Sequence, residues 1–185
     1  MKKITFLTIL LIATNSIFSQ SIKDLDAKNG FKDIQLSDNY SKWENDLIFL
    51  RTIGDDGKLY KYTGNCCEKL FDYKIDNIDL HFQENKLVAI YITTVNLQES
   101  KDISGKSTLY YGDDAQNINS SIAFLFGEPT SKRMPEDSDD IFLDWQAENV
   151  MLSSKYIFLG TFSGDKMQIT VALNSYVFHN LKSGF

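Results

Sequence analysis

Alternation of apolar and polar residues predicts the strands of the first half of the chain. Ile78, Leu80 and Phe82 alternate with polar residues, which gives one buried and one solvent-facing side. An apolar run over 87–94 follows, so we predict an antiparallel hairpin whose buried faces match, joined by a three-residue loop. The predicted pairs are Phe82–Val88, Leu80–Ile90 and Ile78–Ile92.

The second half shows the same alternation and predicts a second meander. A two-residue turn at 148–149 joins two alternating segments, and pairing them places Trp145 opposite Leu152 and Ile141 opposite Tyr156. A further strand follows after the turn at 160–165. The predicted strands are 141–147, 150–158 and 167–173.

Helical spacing of apolar residues occurs twice. The first stripe predicts an amphipathic helix over 39–50 and consists of Tyr40, Trp43, Leu47 and Leu50. The second predicts a helix that begins near Asp114 and stops at Gly127, and consists of Ile118, Ile122, Leu125 and Phe126.

These elements together predict an α+β fold. We expect one domain over residues 20–185, built from two helix-plus-meander units at about 30–95 and 113–178 that form a degenerate tandem repeat. The two amphipathic helices are expected to pack on one face of a single antiparallel sheet.

The N-terminal residues 1–19 have the pattern of a secretory signal peptide. Lys2 and Lys3 precede an apolar run over 4–13, and a short polar exit follows. That run is too short to span a bilayer as a helix, which needs about 20 residues. We therefore expect an exported, soluble protein, periplasmic or extracellular, that is not inserted in a membrane after cleavage.

Charge narrows the range of partners. The chain has 19 basic and 25 acidic side chains, and its only arginines are Arg51 and Arg133. Nucleic acid is held mainly by Lys and Arg on phosphates, so we expect no nucleic-acid partner. An anionic membrane surface is disfavoured for the same reason.

Cys66 and Cys67 are the only cysteines, and they are neighbours. A bond between them cannot link distant parts of the fold, so the pair is either reduced or joined in a vicinal disulfide. A redox switch, a metal site and an intermolecular bridge are the less favoured alternatives. Two thiolates without other clustered ligands make a poor zinc site.

No residue pattern predicts catalysis. His81 is expected on the solvent-facing side of its strand, and Ser163 belongs to a turn. The acidic segment 136–140 lacks the ligand spacing of a calcium loop, and Asp55, Asp56 and Gly57 are expected to form a turn. We expect no catalytic residue, no metal ligand and no cofactor.

The resulting hypothesis is a non-enzymatic binding module for an unknown protein or small-molecule ligand. An unrecognised secreted hydrolase, a calcium-dependent adhesin and a small outer-membrane β-barrel are the alternatives, and the helical spacings disfavour the barrel. The candidate binding surface is the polar face of the second meander. It consists of Asp144, Gln146, Ser153, Lys155, Gln168 and Thr170.

Overall fold

The computed structural model describes residues 21–95, 97, 113–134, 141–157 and 166–177, and these are mostly antiparallel strands. The helices are α1 (Lys23–Lys28) and α2 (Asp113–Phe126), with one further helical turn at 174–177 and short 3-10 turns at Tyr40–Lys42 and Glu44–Asp46. The strands are β1 (Gly30–Phe31), β2 (Ile34–Gln35), β3 (Leu47–Ile53), β4 (Gly57–Tyr62), β5 (Lys69–Leu70), β6 (Tyr73–Gln83), β7 (Lys86–Thr94), β8 (Ser131–Arg133), β9 (Ile141–Gln146), β10 (Val150–Ile157) and β11 (Lys166–Leu173).

One large sheet carries most of these strands. Its order is β3-β4-β6-β7-β11-β10-β9-β8, with β5 paired to β6, while β1 and β2 form a separate hairpin. The last strands of the two meanders, β7 and β11, pair with each other, for example Ile90 with Val171. The two halves of the chain therefore share a continuous sheet, with β3 and β8 at its two edges.

The predicted α+β architecture with two amphipathic helices is wrong, because no α-helix forms over 39–50. That segment makes two 3-10 turns and then enters β3, which pairs with β4. Ile48, Phe49 and Thr52 favour a strand, and cross-strand pairing outweighs the helical spacing of the apolar residues. The tandem helix-plus-meander repeat fails for the same reason, since the first meander has no counterpart of α2.

The first hairpin is predicted in part. Ile78 lies opposite Ile92 and Leu80 opposite Ile90, as expected. Phe82 lies opposite Leu87 rather than Val88, because the register shifts between His81 and Phe82. The loop has two residues, Glu84 and Asn85, both with positive φ (49° and 63°), as in the mirror-image turns that suit hairpins. The predicted three-residue loop is therefore wrong.

Elements of the second half agree better with the predictions. α2 ends at Phe126, and Gly127 follows with a φ of 84°, where its N–H donates to the Ala123 carbonyl. Trp145 lies opposite Leu152, and Ile141 opposite Tyr156. The acidic segment 136–140 lies outside the described residues.

The hydrophobic core lies between one face of the sheet and the helices. Leu25 of α1 and Ile118 and Ile122 of α2 join the same buried cluster as Leu80 and Trp145 of the sheet. Burial of such side chains supplies most of the driving force for folding. We call the side of the sheet that faces the helices the covered face, and the other side the open face.

The carboxylate of Asp26 fastens α1 to the turn between β9 and β10. It accepts hydrogen bonds from the backbone N–H groups of Glu148 (3.0 Å), Asn149 (2.9 Å) and Val150 (2.9 Å). Charge-assisted bonds of this kind are about twice as strong as neutral ones. One side chain thus links the N-terminal helix to the second meander.

Candidate functional site

Two hairpin turns meet at one end of the sheet. Gly57 at the start of β4 lies opposite Gln83 at the end of β6, so the turn over 54–56 lies beside the turn after β6. Asn39 pairs with Lys86, which brings the first 3-10 turn to the same end. The candidate site lies where these three segments converge.

Three aromatic rings line this junction on the covered face. The ring centroids of Tyr40 and Tyr60 are 5.2 Å apart, those of Tyr40 and Phe82 are 5.5 Å apart, and those of Tyr60 and Phe82 are 5.9 Å apart. Each tyrosine ring is nearly perpendicular to Phe82, at 85° for Tyr40 and 82° for Tyr60. The rings therefore form walls rather than a stack. The Tyr40 N–H donates to the Asn85 carbonyl (2.9 Å), which fixes the position of Tyr40.

These rings line part of an open cavity of about 330 Å³, which we call the aromatic pocket. Its rim carries Asp55, Asp56 and Glu84, all exposed, together with Lys58. Within the described ranges none of the three carboxylates forms an ion pair with Lys or Arg. We call these three the acidic rim. The pocket is thus lined by three aromatic side chains and carries an excess of negative charge at its rim.

Tyr60 is the buried tyrosine of the pocket wall. Burial, and then the neighbouring Tyr40, raises the pKa of Tyr60 above its ordinary value. Tyr60 therefore stays a neutral phenol at physiological pH. Its neutral ring keeps the negative face that attracts cations.

An exposed apolar patch adjoins the pocket on the edge strand β3. Ile48 is 56% exposed, Phe49 54% and Leu50 45%, and we call these three the edge patch. Phe49 packs edge-on against Tyr60, with centroids 5.6 Å apart, so Phe49 joins the patch to the pocket, whereas its neighbour Ile48 points to the opposite face of the sheet. Three consecutive exposed apolar residues are unusual on a soluble protein and are typical of a contact site.

The residues of the predicted polar face do lie together on the open face. Ser153 is opposite both Asp144 and Thr170, and Lys155 is opposite Gln168. Two members are not accessible, because Asp144 is 4% exposed and Ser153 7%. Gln146 is exposed, while Lys155, Gln168 and Thr170 are half-buried. As a ligand-binding surface, this set stays a prediction.

Asp144 is engaged by the protein itself. Arg133 Nη2 (2.9 Å) and Ser153 Oγ (2.7 Å) donate to Oδ1, while Arg133 Nε and Ser131 Oγ (3.0 Å) donate to Oδ2. Burial opposes ionisation of Asp144, but the hydrogen bonds from Arg133 and then Ser153 outweigh it, so its pKa is lowered. Its bonding capacity is used within the fold, which leaves it poorly suited to bind a ligand.

His81 is buried, contrary to the expectation that it faces solvent. It is 1% exposed, and its Nδ1 lies 2.8 Å from the hydroxyl of Tyr176, which follows β11. Burial, and secondly the charge of Arg51, lowers its pKa to about 4. A Cβ added at Gly57 would lie 2.4 Å from Nε2, so this edge of the ring is closed against the backbone. The position gives a substrate no access to the imidazole.

Cys66 and Cys67 form a vicinal disulfide, with their Cα atoms 3.7 Å apart. The structure thus decides between the two states left open by the sequence. Cys67 is buried and Cys66 is half-buried. The bridge stays within the loop between β4 and β5 and links no distant elements.

Two sequence expectations concern residues outside the described ranges, namely Ser163 and the acidic segment 136–140. Within those ranges no group of three or more His, Cys, Asp or Glu residues could hold a metal ion. Among the helices that the structure describes, none is long and apolar enough to cross a membrane.

The sequence matches no protein-family model, and comparisons with curated proteins and with solved structures find no significant match. Sequence analysis missed the aromatic pocket because it placed Tyr40 on a helix. The turn at Asp55 and Asp56 was predicted, but its neighbour in space, the turn at Glu84, was not connected with it.

Proposed function

We propose that the protein is a non-enzymatic binding module that contacts its partner through the edge patch and the aromatic pocket. The observation that carries the proposal is the run of exposed apolar side chains on β3, at 45–56% exposure, of which Phe49 packs against Tyr60 of the pocket. Covering such side chains with a partner removes apolar surface from water, at roughly 25 cal/mol per Å². This contribution is available without any catalytic chemistry.

Backbone pairing plays a limited part in the proposed contact. β3 is an edge strand, but its register shifts between Phe49 and Arg51, and bulges of this kind discourage the addition of another strand. Side chains rather than a continuous backbone ladder would then carry the affinity. Aromatic anchors that fill pockets dominate the energetics of many interfaces.

We also propose, on the sequence pattern of residues 1–19, that the protein acts after export as a soluble domain. Mass spectrometry of the protein from its native host tests this directly. The expected mass lacks the first nineteen or twenty residues and is 2 Da below that of the fully reduced chain, because the vicinal disulfide is closed. An uncleaved chain would contradict the export proposal without affecting the binding site.

The binding proposal is tested by capture from the native exported fraction, followed by measurement with the purified partner. The double variant Ile48→Thr/Leu50→Thr removes apolar surface and keeps residues that favour strands. We expect it to bind at least about tenfold more weakly than the wild type. The control Phe124→Gln alters an equally apolar residue that is 74% exposed on α2, and should bind normally.

Two results would contradict the proposal. The first is equal affinity of the wild type and the β3 double variant together with weaker binding of Phe124→Gln, which would move the site to α2. The second is hydrolytic turnover by the purified protein that disappears in His81→Gln. That outcome would favour the alternative of a secreted hydrolase.

A further inference from the structure

We propose that the aromatic pocket binds an organic cation, a substituted ammonium group carried either by a small molecule or by a lysine side chain of a partner. This inference rests on the proposed function, because it names the chemistry recognised at the same site. The geometry that carries it is one cavity that is lined both by Tyr40, Tyr60 and Phe82 and by the acidic rim.

The aromatic walls supply attraction for a cation that carries apolar groups. An ammonium within about 6 Å of a ring centroid is drawn to the negative face of the ring. Tyr40, Tyr60 and Phe82 pack against one another, with centroids 5.2 to 5.9 Å apart, and all three line the cavity, so a cation held there contacts aromatic side chains. The methyl or methylene groups of such a ligand also bury apolar surface against the rings.

The rim selects the sign of the charge. Asp55 and Asp56 come from one hairpin turn and Glu84 from the other, whereas Lys58 is the one basic residue among the described residues that line the cavity. The rim thus has an excess of two negative charges, and the whole chain has a net charge of −6. An anionic ligand would be repelled both by the rim and by the net charge of the chain, and a neutral ligand would gain no electrostatic attraction from the rim.

A metal ion is a weaker candidate for the same place. Hard cations need several oxygen ligands brought within about 2.0 to 2.6 Å of one point. The described residues contain no cluster of that kind, and the carboxylates of the rim are exposed rather than converging. The rings below them would contribute no ligands. An organic cation uses both parts of the site, which is why we favour it.

Isothermal titration at low ionic strength tests the proposal with choline, with its neutral isostere 3,3-dimethyl-1-butanol and with Nα-acetyl-lysine amide. We expect choline, the lysine derivative or both to bind at least about tenfold more tightly than the isostere. Tighter binding of choline indicates a small quaternary ligand, and tighter binding of the lysine derivative indicates a protein side chain. Sodium chloride at matched concentration corrects for ionic strength.

Variants separate the contributions of the rings and the rim. Tyr40→Leu removes a wall and should abolish cation binding, whereas Tyr40→Phe keeps the ring and should retain it. Asp56→Asn/Glu84→Gln alters only exposed side chains and should weaken binding roughly fivefold. The control Glu128→Gln removes an exposed carboxylate that lies beside α2 and should have no effect.

Equal binding of choline and the neutral isostere would overturn the inference and leave an apolar binding site, in keeping with the proposed function. Absence of binding by all three probes would also rule out an organic cation as the ligand. The capture experiment with the β3 variant then decides independently whether the proposed function survives. If Tyr40→Leu fails to fold, the rim variant gives the same decision, because its positions are exposed.

Discussion

Acidification should destabilise the fold through His81. Its imidazole is 1% exposed, and burial, followed by the charge of Arg51, lowers its pKa from 6.5 to about 4. The folded state therefore favours the neutral ring, and the unfolded chain binds a proton more readily. Stability is unaffected above the unfolded pKa and is lost progressively as the pH falls from about 6.5 to about 4.

The size of this loss follows from the two pKa values. Each pKa unit corresponds to about 1.36 kcal/mol, so protonation of His81 should remove about 3 kcal/mol of unfolding free energy between pH 6.5 and pH 4. That is a large fraction of the roughly 5–15 kcal/mol that stabilises a typical domain. The hydrogen-bonded pair with Tyr176 should separate as the ring becomes charged.

Two further groups near His81, namely Asp79 and Tyr91, also have shifted pKa values. Burial raises the pKa of Asp79, so its protonation gains stability as the pH falls and partly offsets the loss at His81. Burial and the bond to Tyr176 raise the pKa of Tyr91, which therefore stays neutral throughout this range. A measurement on the wild type alone would mix the contributions of His81 and Asp79.

The assay is urea denaturation at pH values from 4 to 8, with His81→Gln as the reference. Gln keeps a polar group near Tyr176 and does not titrate, so the difference between the two proteins isolates His81. We expect the wild type to lose about 3 kcal/mol more than the variant between pH 6.5 and pH 4. Parallel pH profiles for the two proteins would refute the reasoning about buried His81.

Three substitutions test the contacts that position the elements. Asp26→Ala removes the acceptor of three backbone N–H groups and should lower the unfolding free energy by about 2–3 kcal/mol; an unchanged midpoint in urea would contradict a role for Asp26 in fixing α1. Gly57→Ala should lower the unfolding free energy by about 1–3 kcal/mol, because its Cβ would lie 2.4 Å from His81 Nε2. A crystal structure of the variant with an unmoved His81 would count against this explanation. Arg133→Met leaves Asp144 buried with fewer hydrogen-bond donors and should lower the unfolding free energy, measured by thermal unfolding, by about 1–3 kcal/mol. Unchanged stability would mean that the ion pair contributes nothing.

Local patterns predicted the parts of the fold that depend on local interactions. α2 has a stop signal at Gly127 and a stripe that continues over several turns, and the turn between β9 and β10 closes with a hydrogen bond from the Ala147 N–H to the Val150 carbonyl (2.9 Å). In both cases the residues that decide the structure are neighbours along the chain. The sequence therefore carried enough information to place them.

The segment over 39–50 shows where that information ends. The spacing of its apolar residues fits a helix, but β3 is chosen by pairing with β4 and by contacts such as Trp43 against Tyr62. His81 shows the same limit, since alternation predicts exposure while Tyr176, 95 residues away in sequence, buries it. The aromatic pocket also needs Tyr40 to bond to Asn85, and no local pattern predicts that contact.

The most direct test of the binding site is an NMR titration of the isotope-labelled protein with choline. We predict that the largest shifts fall on the rings of Tyr40, Tyr60 and Phe82 and on the backbone of the two turns at 54–56 and 84–85. They should disappear in Tyr40→Leu and persist in Tyr40→Phe. Shifts confined to β8–β10, or no saturable shift in any of these residues, would contradict the account.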